Sequence, residues 1–319
     1  MKKIIIDLYG ADNGPEELLR GAVKAASFNP DLGFVLVGDE AASRAFFEKE
    51  GVNAPSFTFI HATDYITNHE PAMAIFKGRD ECSTAKALDA LKSDEDAIGL
   101  LGAGNTGALM VGSIFRLGLT EGLKSPALST LLPNVKGGMT TLVDCGANVN
   151  IDAVNLVDFA RLGSDFAKKM FDLEAPTVAL LNVGREEGKG SPLYAEGYKL
   201  LKEAGERGEI NFIGNAEGYD IIAAYADVVV CDGFAGNIVL KLTEAVGKTA
   251  LALVENKLAE SNDSAALTEI SGKLKDLFVF NERGGATFLG TKKPVIKMHG
   301  CATADTVVSC VEQMLRVAR

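Results

Sequence analysis

The sequence predicts an α/β protein with a mostly parallel sheet between layers of helices. Short β-branched runs alternate with amphipathic segments along almost the whole chain, and this alternation is typical of parallel strands connected by helices. Several strands end in turns that combine glycine with Asp or Asn. Ligands of such sheets bind at these carboxyl ends, so the turns are the first place to look for a site.

The predicted elements follow one another in regular order. The first strand, Lys3–Leu8, precedes a helix over Pro15–Ser27, whose proline suits the first helical turn. Further strands are predicted at 34–37, 57–61, 97–101, 140–143, 177–181, 211–213, 227–231 and 294–298, and further helices at 40–50, 83–92, 106–117, 152–171, 235–259, 265–277 and 304–317. We expect one domain over residues 1–319 with a helical insertion at about 243–283.

The composition narrows the possible functions. A formal net charge of −11 argues against a nucleic-acid partner, which ordinarily needs a basic face. The five cysteines form no CxxC pair, which favours reduced thiols, and the three histidines are too scattered for a metal site. No apolar run reaches the roughly 18 residues of a membrane span, and the N-terminal run is too short for a signal peptide. We therefore expect a cytoplasmic protein without metal or cofactor.

The segment AIGLLGAGNTGALM at 97–110 places glycines and polar residues between two apolar runs. Glycines let backbone amides approach an anion, and Asn105 and Thr106 add side-chain donors where a helix begins. The spacing fits neither GxxxxGK[ST] nor GxGxxG, so the common nucleotide motifs are absent. A tight strand-to-helix turn explains the glycines equally well. Comparable turns occur at 4–14, 142–150, 180–191 and 228–241, and five such turns at one sheet edge favour a site.

These turns resemble those of the PlsX-type phosphate acyltransferases of bacterial phospholipid synthesis. The matching segments are IDLYGADNGPEELLRGA near the N-terminus, LVGDE at 36–40, GAGNTGALM at 102–110, DCGANV at 144–149, NVGREEGKG at 182–190, NFIGNAEG at 211–218, ADVVVCDGFAGNIVLK at 226–241 and GGATFLG…PVIKMHG at 284–300. These segments occur in the same order as in the family and cover the chain from end to end. The resemblance implies a three-layer α/β/α fold related to phosphotransacetylases and to isocitrate- and isopropylmalate-type dehydrogenases.

The resemblance also implies the reaction and the partners. A long-chain acyl group would pass from acyl carrier protein to inorganic phosphate, giving acyl-phosphate and free carrier protein. Enzymes of this kind are homodimers on the inner face of the cell membrane, and they supply acyl-phosphate to a membrane glycerol-3-phosphate acyltransferase. Three segments depart from the family pattern: Gly10-Ala11, the run from Phe76 to Cys82, and Cys301-Ala302. The departures bear on carrier-protein affinity more than on the chemistry.

This chemistry assigns roles to individual residues. Phosphate is a competent nucleophile at neutral pH, so the protein has to hold it, align it and stabilise the developing oxyanion. Lys189 is the candidate cation, and Asn237 and Asn105 are the candidate donors. We expect Asp144 and Asp232 to orient their loops rather than act as bases. The expected substrate- or phosphate-binding residues are Gly104, Thr106, Gly107, Asp12, Asp144, Asn148, Asp232 and His299.

Four alternatives stay open at this point. A short-chain phosphate acyltransferase acting on acyl-coenzyme A would differ mainly in its thiol carrier. A decarboxylating dehydrogenase of the same fold would need an aspartate cluster and a dinucleotide loop, and the sequence has neither. A membrane scaffold without activity fits poorly with the intact candidate residues. An acyl-cysteine mechanism would use Cys231 or Cys145, but both end apolar strands, where the pKa of a thiol tends to rise.

A stripe of apolar residues is a candidate membrane contact. Leu267, Ile270, Leu274, Leu277 and Phe278 share one face at helical spacing. Lys273 and Lys275 lie beside them and are placed to meet lipid headgroups. Packing in a dimer explains the stripe equally well.

Overall fold

The computed structural model describes residues 1–52, 56–260, 265–278 and 284–319. The chain divides into two compact units, the first formed by Met1–Pro126 with Asn281–Arg319 and the second by Ala127–Phe280. The second unit therefore interrupts the first in sequence.

The secondary structure confirms the α/β class. The strands are β1 Lys3–Asp7, β2 Gly33–Gly38, β3 Phe57–His61, β4 Ala97–Gly102, β5 Ala127–Pro133, β6 Met139–Val143, β7 Thr177–Leu181, β8 Asn211–Ala216, β9 Val228–Val230, β10 Ala286–Leu289 and β11 Val295–Lys297. The helices are α1 Pro15–Phe28, α2 Glu40–Lys49, α3 Ser83–Ser93, α4 Thr106–Gly112, α5 Ala153–Phe171, α6 Pro192–Glu206, α7 Gly218–Ile222, α8 Gly233–Glu260, α9 Ala265–Phe278 and α10 Ala304–Val317.

The predicted elements differ from these in a few places. The sequence pattern missed β5, β10, the helix α6 and the five-residue helix α7. The helix predicted over 106–117 is α4 followed by a π-helical turn, Ser113–Leu117. The helix predicted from 235 already begins at Gly233, so the expected start of the insertion near 243 falls inside α8.

The first unit is built on strands in the order β3-β2-β1-β4-β11-β10. All neighbours are parallel except β10, which runs antiparallel to β11. Its core joins Ile4 and Ile6 of β1 to apolar side chains of α1 and α10. Gly21 of α1 makes this packing possible, because a Cβ atom there would lie 2.5 Å from the Cβ atom of Val307 on α10.

The second unit has the strand order β5-β6-β9-β7-β8. Here β5 and β6 are antiparallel and the other neighbours are parallel. Helix α5 lies close against this sheet at Gly163, where a Cβ atom would come within 2.8 Å of Val228. The parallel strands end next to the segments that follow Val143, Leu181, Ala216 and Val230, and these segments carry the candidate residues of the unit.

Helices α8 and α9 pack against each other, which changes the interpretation of the apolar stripe. Phe278 lies so close to Gly247 of α8 that a Cβ atom on this glycine would overlap it. Lys275 pairs with Glu255 of α8 at 2.7 Å, so its charge already has a partner within the chain. Ile270 is 46% exposed, whereas the side chain of Leu277 lies outside the described residues. A lipid contact through this stripe stays a prediction.

None of the helices in the described ranges is both long and apolar enough to cross a membrane.

The carboxyl group of Asp7 is buried where β1 ends. Thr84 donates its hydroxyl hydrogen to Oδ2 at 2.8 Å, and the backbone N–H of Tyr9 donates to Oδ1 at 3.2 Å. Burial outweighs these donors and raises the pKa of Asp7 from 3.8 to about 6, because removal from water disfavours the ionised form.

We predict that Asp7→Asn changes the pH dependence of stability. Between pH 4 and 6 the folded protein keeps a proton that the unfolded chain releases, so the contribution of Asp7 to stability falls as pH rises through this window. At about 1.4 kcal/mol per pKa unit, the variant should gain about 2.4 kcal/mol relative to the parent between pH 4 and pH 7. Urea unfolding of both proteins at several pH values, with Asp31→Asn as the exposed control, measures this gain. A difference independent of pH would contradict the raised pKa.

Candidate functional site

The candidate residues fall into two groups, one in each unit. The first unit contains Asp12, Gly104, Asn105, Thr106, Gly107 and His299, and the second contains Asp144, Asn148, Lys189, Asp232 and Asn237.

Close packing accounts for Gly107 in the turn between β4 and α4, and for Gly10 beside this turn. A Cβ atom on Gly10, in the turn after β1, would overlap the Cα atom of Gly104. A Cβ atom on Gly107 would lie 2.8 Å from that of Ala72. Thr106 and Gly107 are the first two residues of α4, and N–H groups at that position have no acceptor within a helix. Both interpretations of the turn therefore have a physical basis, packing for Gly107 and anion binding for the amides.

Asn105 is occupied by contacts within its own unit. Its side-chain oxygen accepts a hydrogen bond from the N–H of Ala108 at 2.9 Å and so caps α4. Its amide nitrogen donates to the carbonyl oxygens of Thr67 at 2.9 Å and of Glu70 at 2.8 Å. Both amide hydrogens are thus used, and the predicted role as a donor to an anion does not match this geometry. Asn105 instead ties the segment at 67–70 to the turn.

An ion-pair network that the sequence did not predict holds this same segment. The Arg79 guanidinium donates to Asp64 at 2.5 and 2.6 Å and to Glu70 at 2.8 Å, and these hydrogen bonds raise the pKa of Arg79. Glu70 also accepts the N–H of Thr67 at 2.8 Å, the main cause of its lowered pKa. The positive charge of Arg79 is therefore paired with Asp64 and Glu70 and is not directed at an acidic partner.

Asp12 and His299 belong to two turns that contact each other. The N–H of Asp12 donates to the carbonyl oxygen of Gly300 at 2.7 Å. His299 Nδ1 accepts the N–H of Cys301 at 3.3 Å. Nearby, Lys297 Nζ donates to the carbonyl oxygen of Ala103 at 2.8 Å. Sequence reasoning missed this lysine, although a cation within the apolar run PVIKMHG was a usable signal.

The Asp144 carboxylate organises the loop that follows β6. Oδ1 accepts N–H groups from Leu128, Gly146 and Ala147 at 3.0–3.1 Å. Oδ2 accepts the backbone N–H and the side-chain amide of Asn148 at 2.7 and 2.8 Å. Burial still raises the pKa of Asp144, against the effect of these donors. Both carboxylate oxygens are thus occupied within the unit, and Asn148 is one of their partners; the predicted contact of Asp144 and Asn148 with substrate or phosphate stays a prediction.

The Asp144 loop packs directly on the first turn of α8. Asp232 caps this helix by accepting the N–H groups of Phe234 and Ala235, each at 2.9 Å. The N–H of Gly233 donates to the carbonyl oxygen of Asn148 at 2.8 Å, and a Cβ atom on Gly236 would overlap the carbonyl oxygen of Asp144.

Asn237 projects from this turn. It is exposed, and its Oδ1 lies 3.6 Å from where a Cβ atom on Gly146 would stand. The Tyr194 hydroxyl donates to Asp232 at 2.6 Å, which fixes the carboxylate that begins the helix. Asn237 is therefore an accessible amide on a well-supported turn.

Lys189 lies in a loop that is anchored at both sides. Gly188 and Gly190 have φ angles of +84° and +90°, a conformation that favours glycine. Asn182 Nδ2 donates to the carbonyl oxygen of Lys189 at 3.0 Å, and Asn215 Nδ2 donates to that of Glu186 at 2.9 Å. The sequence did not single out these two asparagines as supports of the loop.

The Lys189 side chain itself is half exposed, and its only ion pair in the described residues is a 3.9 Å contact with Glu186. Its ammonium group can therefore reach a ligand. Arg185 in the same loop behaves differently, because it pairs with the buried carboxylate of Asp220.

The two cysteines considered as nucleophiles are buried. Cys145 and Cys231 are 1% and 0% exposed, and burial raises the pKa of both thiols well above the usual value. Cys231 also donates to the carbonyl oxygen of Asp144 at 3.4 Å. Because the thiolate is the reactive form, neither residue suits an acyl-cysteine mechanism. In the described ranges no three His, Cys, Asp or Glu residues are grouped so that they could hold a metal ion.

Solved structures of low sequence identity share the fold. A phosphotransacetylase from Streptococcus pyogenes superposes with a TM-score of 0.66 at 16% identity, covering 99% of this chain and 94% of the other. A putative 4-hydroxythreonine-4-phosphate dehydrogenase from Salmonella typhimurium gives a TM-score of 0.54 at 13% identity, covering 99% of this chain and 100% of the other.

Sequence comparisons reach almost the whole chain. The model of the family described as "Fatty acid synthesis protein" matches residues 2–319. A phosphate acyltransferase of Clostridioides difficile (strain 630) is 35% identical over 322 residues, with 99% of this chain and 93% of the relative covered. A phosphate acyltransferase of Thermoanaerobacter pseudethanolicus is 38% identical over 316 residues, with 98% and 92% covered. The chain therefore belongs to the fatty acid synthesis protein family and, within it, to the phosphate acyltransferases.

Proposed function

We propose that the protein transfers a long-chain acyl group from acyl carrier protein to inorganic phosphate and so supplies acyl-phosphate for phospholipid synthesis. The observation that carries this proposal is the family match over residues 2–319. The second candidate is short-chain acyl transfer between coenzyme A and phosphate, since neighbours in fold are phosphotransacetylases.

The reaction can proceed without a nucleophile from the protein. A phosphate oxygen attacks the thioester carbonyl, the carbonyl carbon–sulfur bond then breaks, and the leaving thiolate takes up a proton. Positioning of two reactants can lower the barrier by about 7–11 kcal/mol. In our proposal the chain supplies this positioning together with stabilisation of negative charge, and the burial of Cys145 and Cys231 supports direct attack.

Two residues of the second unit are proposed to contact the reacting groups. Lys189 would bind phosphate or the thioester oxygen and protonate the leaving thiolate, because its half-exposed ammonium has a single distant partner in the described residues. Asn237 would donate to the oxyanion, because its amide is exposed on a turn fixed by Asp144 and Asp232.

In the first unit, the amides at Gly104–Gly107 are proposed to bind an anion, with Thr106 as an exposed donor. Asp12 and His299 are proposed to border this anion, since the turns that carry them are in contact. For Asn105 we propose a positioning role instead, because its amide already holds the segment at 67–70.

The proposal extends to partners and location. Acyl-phosphate is amphiphilic and hydrolysable, which favours transfer close to a membrane glycerol-3-phosphate acyltransferase on the inner face of the cell membrane. Helix α8 exposes Phe234, Ile238, Leu242 and Val246 at helical spacing, each at least half exposed. An apolar face of this kind suits the homodimer that we propose or a membrane surface.

A comparison of donors tests the function. The chain is incubated with phosphate and either palmitoyl-carrier protein, palmitoyl-coenzyme A or acetyl-coenzyme A, and acyl-phosphate is trapped with hydroxylamine. We expect phosphate-dependent hydroxamate from palmitoyl-carrier protein, with kcat/KM at least about tenfold above that of either coenzyme A ester, a difference of about 1.4 kcal/mol. Preference for acetyl-coenzyme A would support the second candidate, and no turnover with any donor would contradict acyl transfer.

We predict that Lys189→Ala lowers acyl-phosphate formation by about 100-fold, a loss of about 2.7 kcal/mol of transition-state stabilisation. The fold should persist, because this side chain is half exposed. Lys199→Ala, which removes an exposed lysine of α6, is the matched control and should retain activity. Circular dichroism checks the fold of both variants, and a loss of less than about threefold in Lys189→Ala would contradict the assigned role.

A further inference from the structure

One cysteine of the chain differs from the others in exposure. All five lie in the described ranges, and Cys82, Cys145, Cys231 and Cys310 are buried while Cys301 is exposed. Burial raises the pKa of the Cys310 thiol to about 12 and also raises that of Cys82, so these thiols stay protonated and out of reach of solutes. Cys301 is thus the thiol that a dissolved reagent meets on the native protein.

Cys301 is also paired with an imidazole. Its Sγ lies 3.0 Å from His299 Nδ1, and the same nitrogen accepts the backbone N–H of Cys301 at 3.3 Å. A backbone N–H can only donate, so Nδ1 presents its lone pair to this residue. In the tautomer that accepts this N–H, the thiol is the donor in the Sγ···Nδ1 contact.

The turn that holds this pair is fixed by several hydrogen bonds. Asn13 Nδ2 donates to the carbonyl oxygens of Cys301 at 3.2 Å and Ala302 at 3.1 Å. The N–H of Ala302 donates to the carbonyl oxygen of His299 at 3.1 Å, and that of Asp12 to Gly300 at 2.7 Å. These hydrogen bonds hold the backbone of the turn that carries the thiol and the imidazole.

We propose that Cys301 is a modification site, a reactive thiol that His299 assists and that forms mixed disulfides with low-molecular-weight disulfides. The thiol proton passes to His299 Nδ1, and the sulfur attacks one sulfur atom of the reagent. The reagent's S–S bond breaks as the new one forms, and the released thiolate takes the proton from the imidazolium. Cys301 is oxidised and the reagent is reduced to one free thiol. This inference does not depend on the proposed acyl transfer.

The test is the reaction of the native full-length chain with an aromatic disulfide that releases a coloured thiolate. We expect one thiol to react in a fast phase, mass spectrometry to locate the adduct on Cys301, and Cys301→Ser to abolish that phase. His299→Gln should slow it by about tenfold or more. The matched control is His61→Gln, because His61 Nδ1 also accepts a backbone N–H, from Glu40 at 3.3 Å, and its loss should leave the rate unchanged.

Several outcomes would overturn the proposal. These are a fast adduct on another cysteine, an unchanged rate in His299→Gln, or equal slowing in His61→Gln. If His299→Gln does not fold, the rate of Cys301 in the native parent is compared with its rate in the urea-unfolded parent. The native thiol should then react about tenfold faster, and an equal or slower native rate would reject assistance by the imidazole.

Discussion

The second unit depends on a buried carboxylate that must find hydrogen-bond donors. A buried ionised group is costly unless it is fully bonded, and Asp144 satisfies this need with four backbone N–H groups and one side-chain amide. The loop after β6 therefore has to wrap around this side chain. This loop lies directly against Gly233 and Gly236, where a side chain would overlap its backbone. The first turn of α8, and with it Asn237, takes its position from this arrangement.

In the first unit the constraint is the close approach of backbone turns, and hydrogen bonds from side chains again hold the backbone in place. Its turns after β1 and β4 approach so closely that only glycine fits at Gly10, and Gly107 packs closely against Ala72. Asn105 then links the turn to the segment at 67–70, and Arg79 holds that segment from its other side. Thr106 is among the polar groups of the described residues that stay accessible at this turn.

Local patterns were enough to predict the α/β class, most strands and the turns that carry the candidate residues. The roles of Asp144 and Asp232 were also predictable, because carboxylates directly after a strand commonly accept N–H groups of the next turn. The strand β10 escaped prediction because its four residues, ATFL, show neither alternation nor a run of β-branched side chains. The contacts of Asn105 and Arg79 bring together residues far apart in sequence, and no local pattern reports such pairs. The packing of Phe278 on Gly247 likewise joins residues that are distant in sequence.

The central chemical claim is that phosphate attacks the thioester directly, without an acyl-enzyme. Isotope exchange tests it. Unlabelled carrier protein that bears an acyl group is incubated with the enzyme and with labelled carrier protein that bears none, in the absence of phosphate. The appearance of label in the acylated carrier protein is then followed. Direct attack predicts no exchange until phosphate is added, because the carbon–sulfur bond then breaks only with phosphate as the acceptor. Exchange in the absence of phosphate, at a rate comparable with turnover, would show a covalent acyl-enzyme and contradict the account.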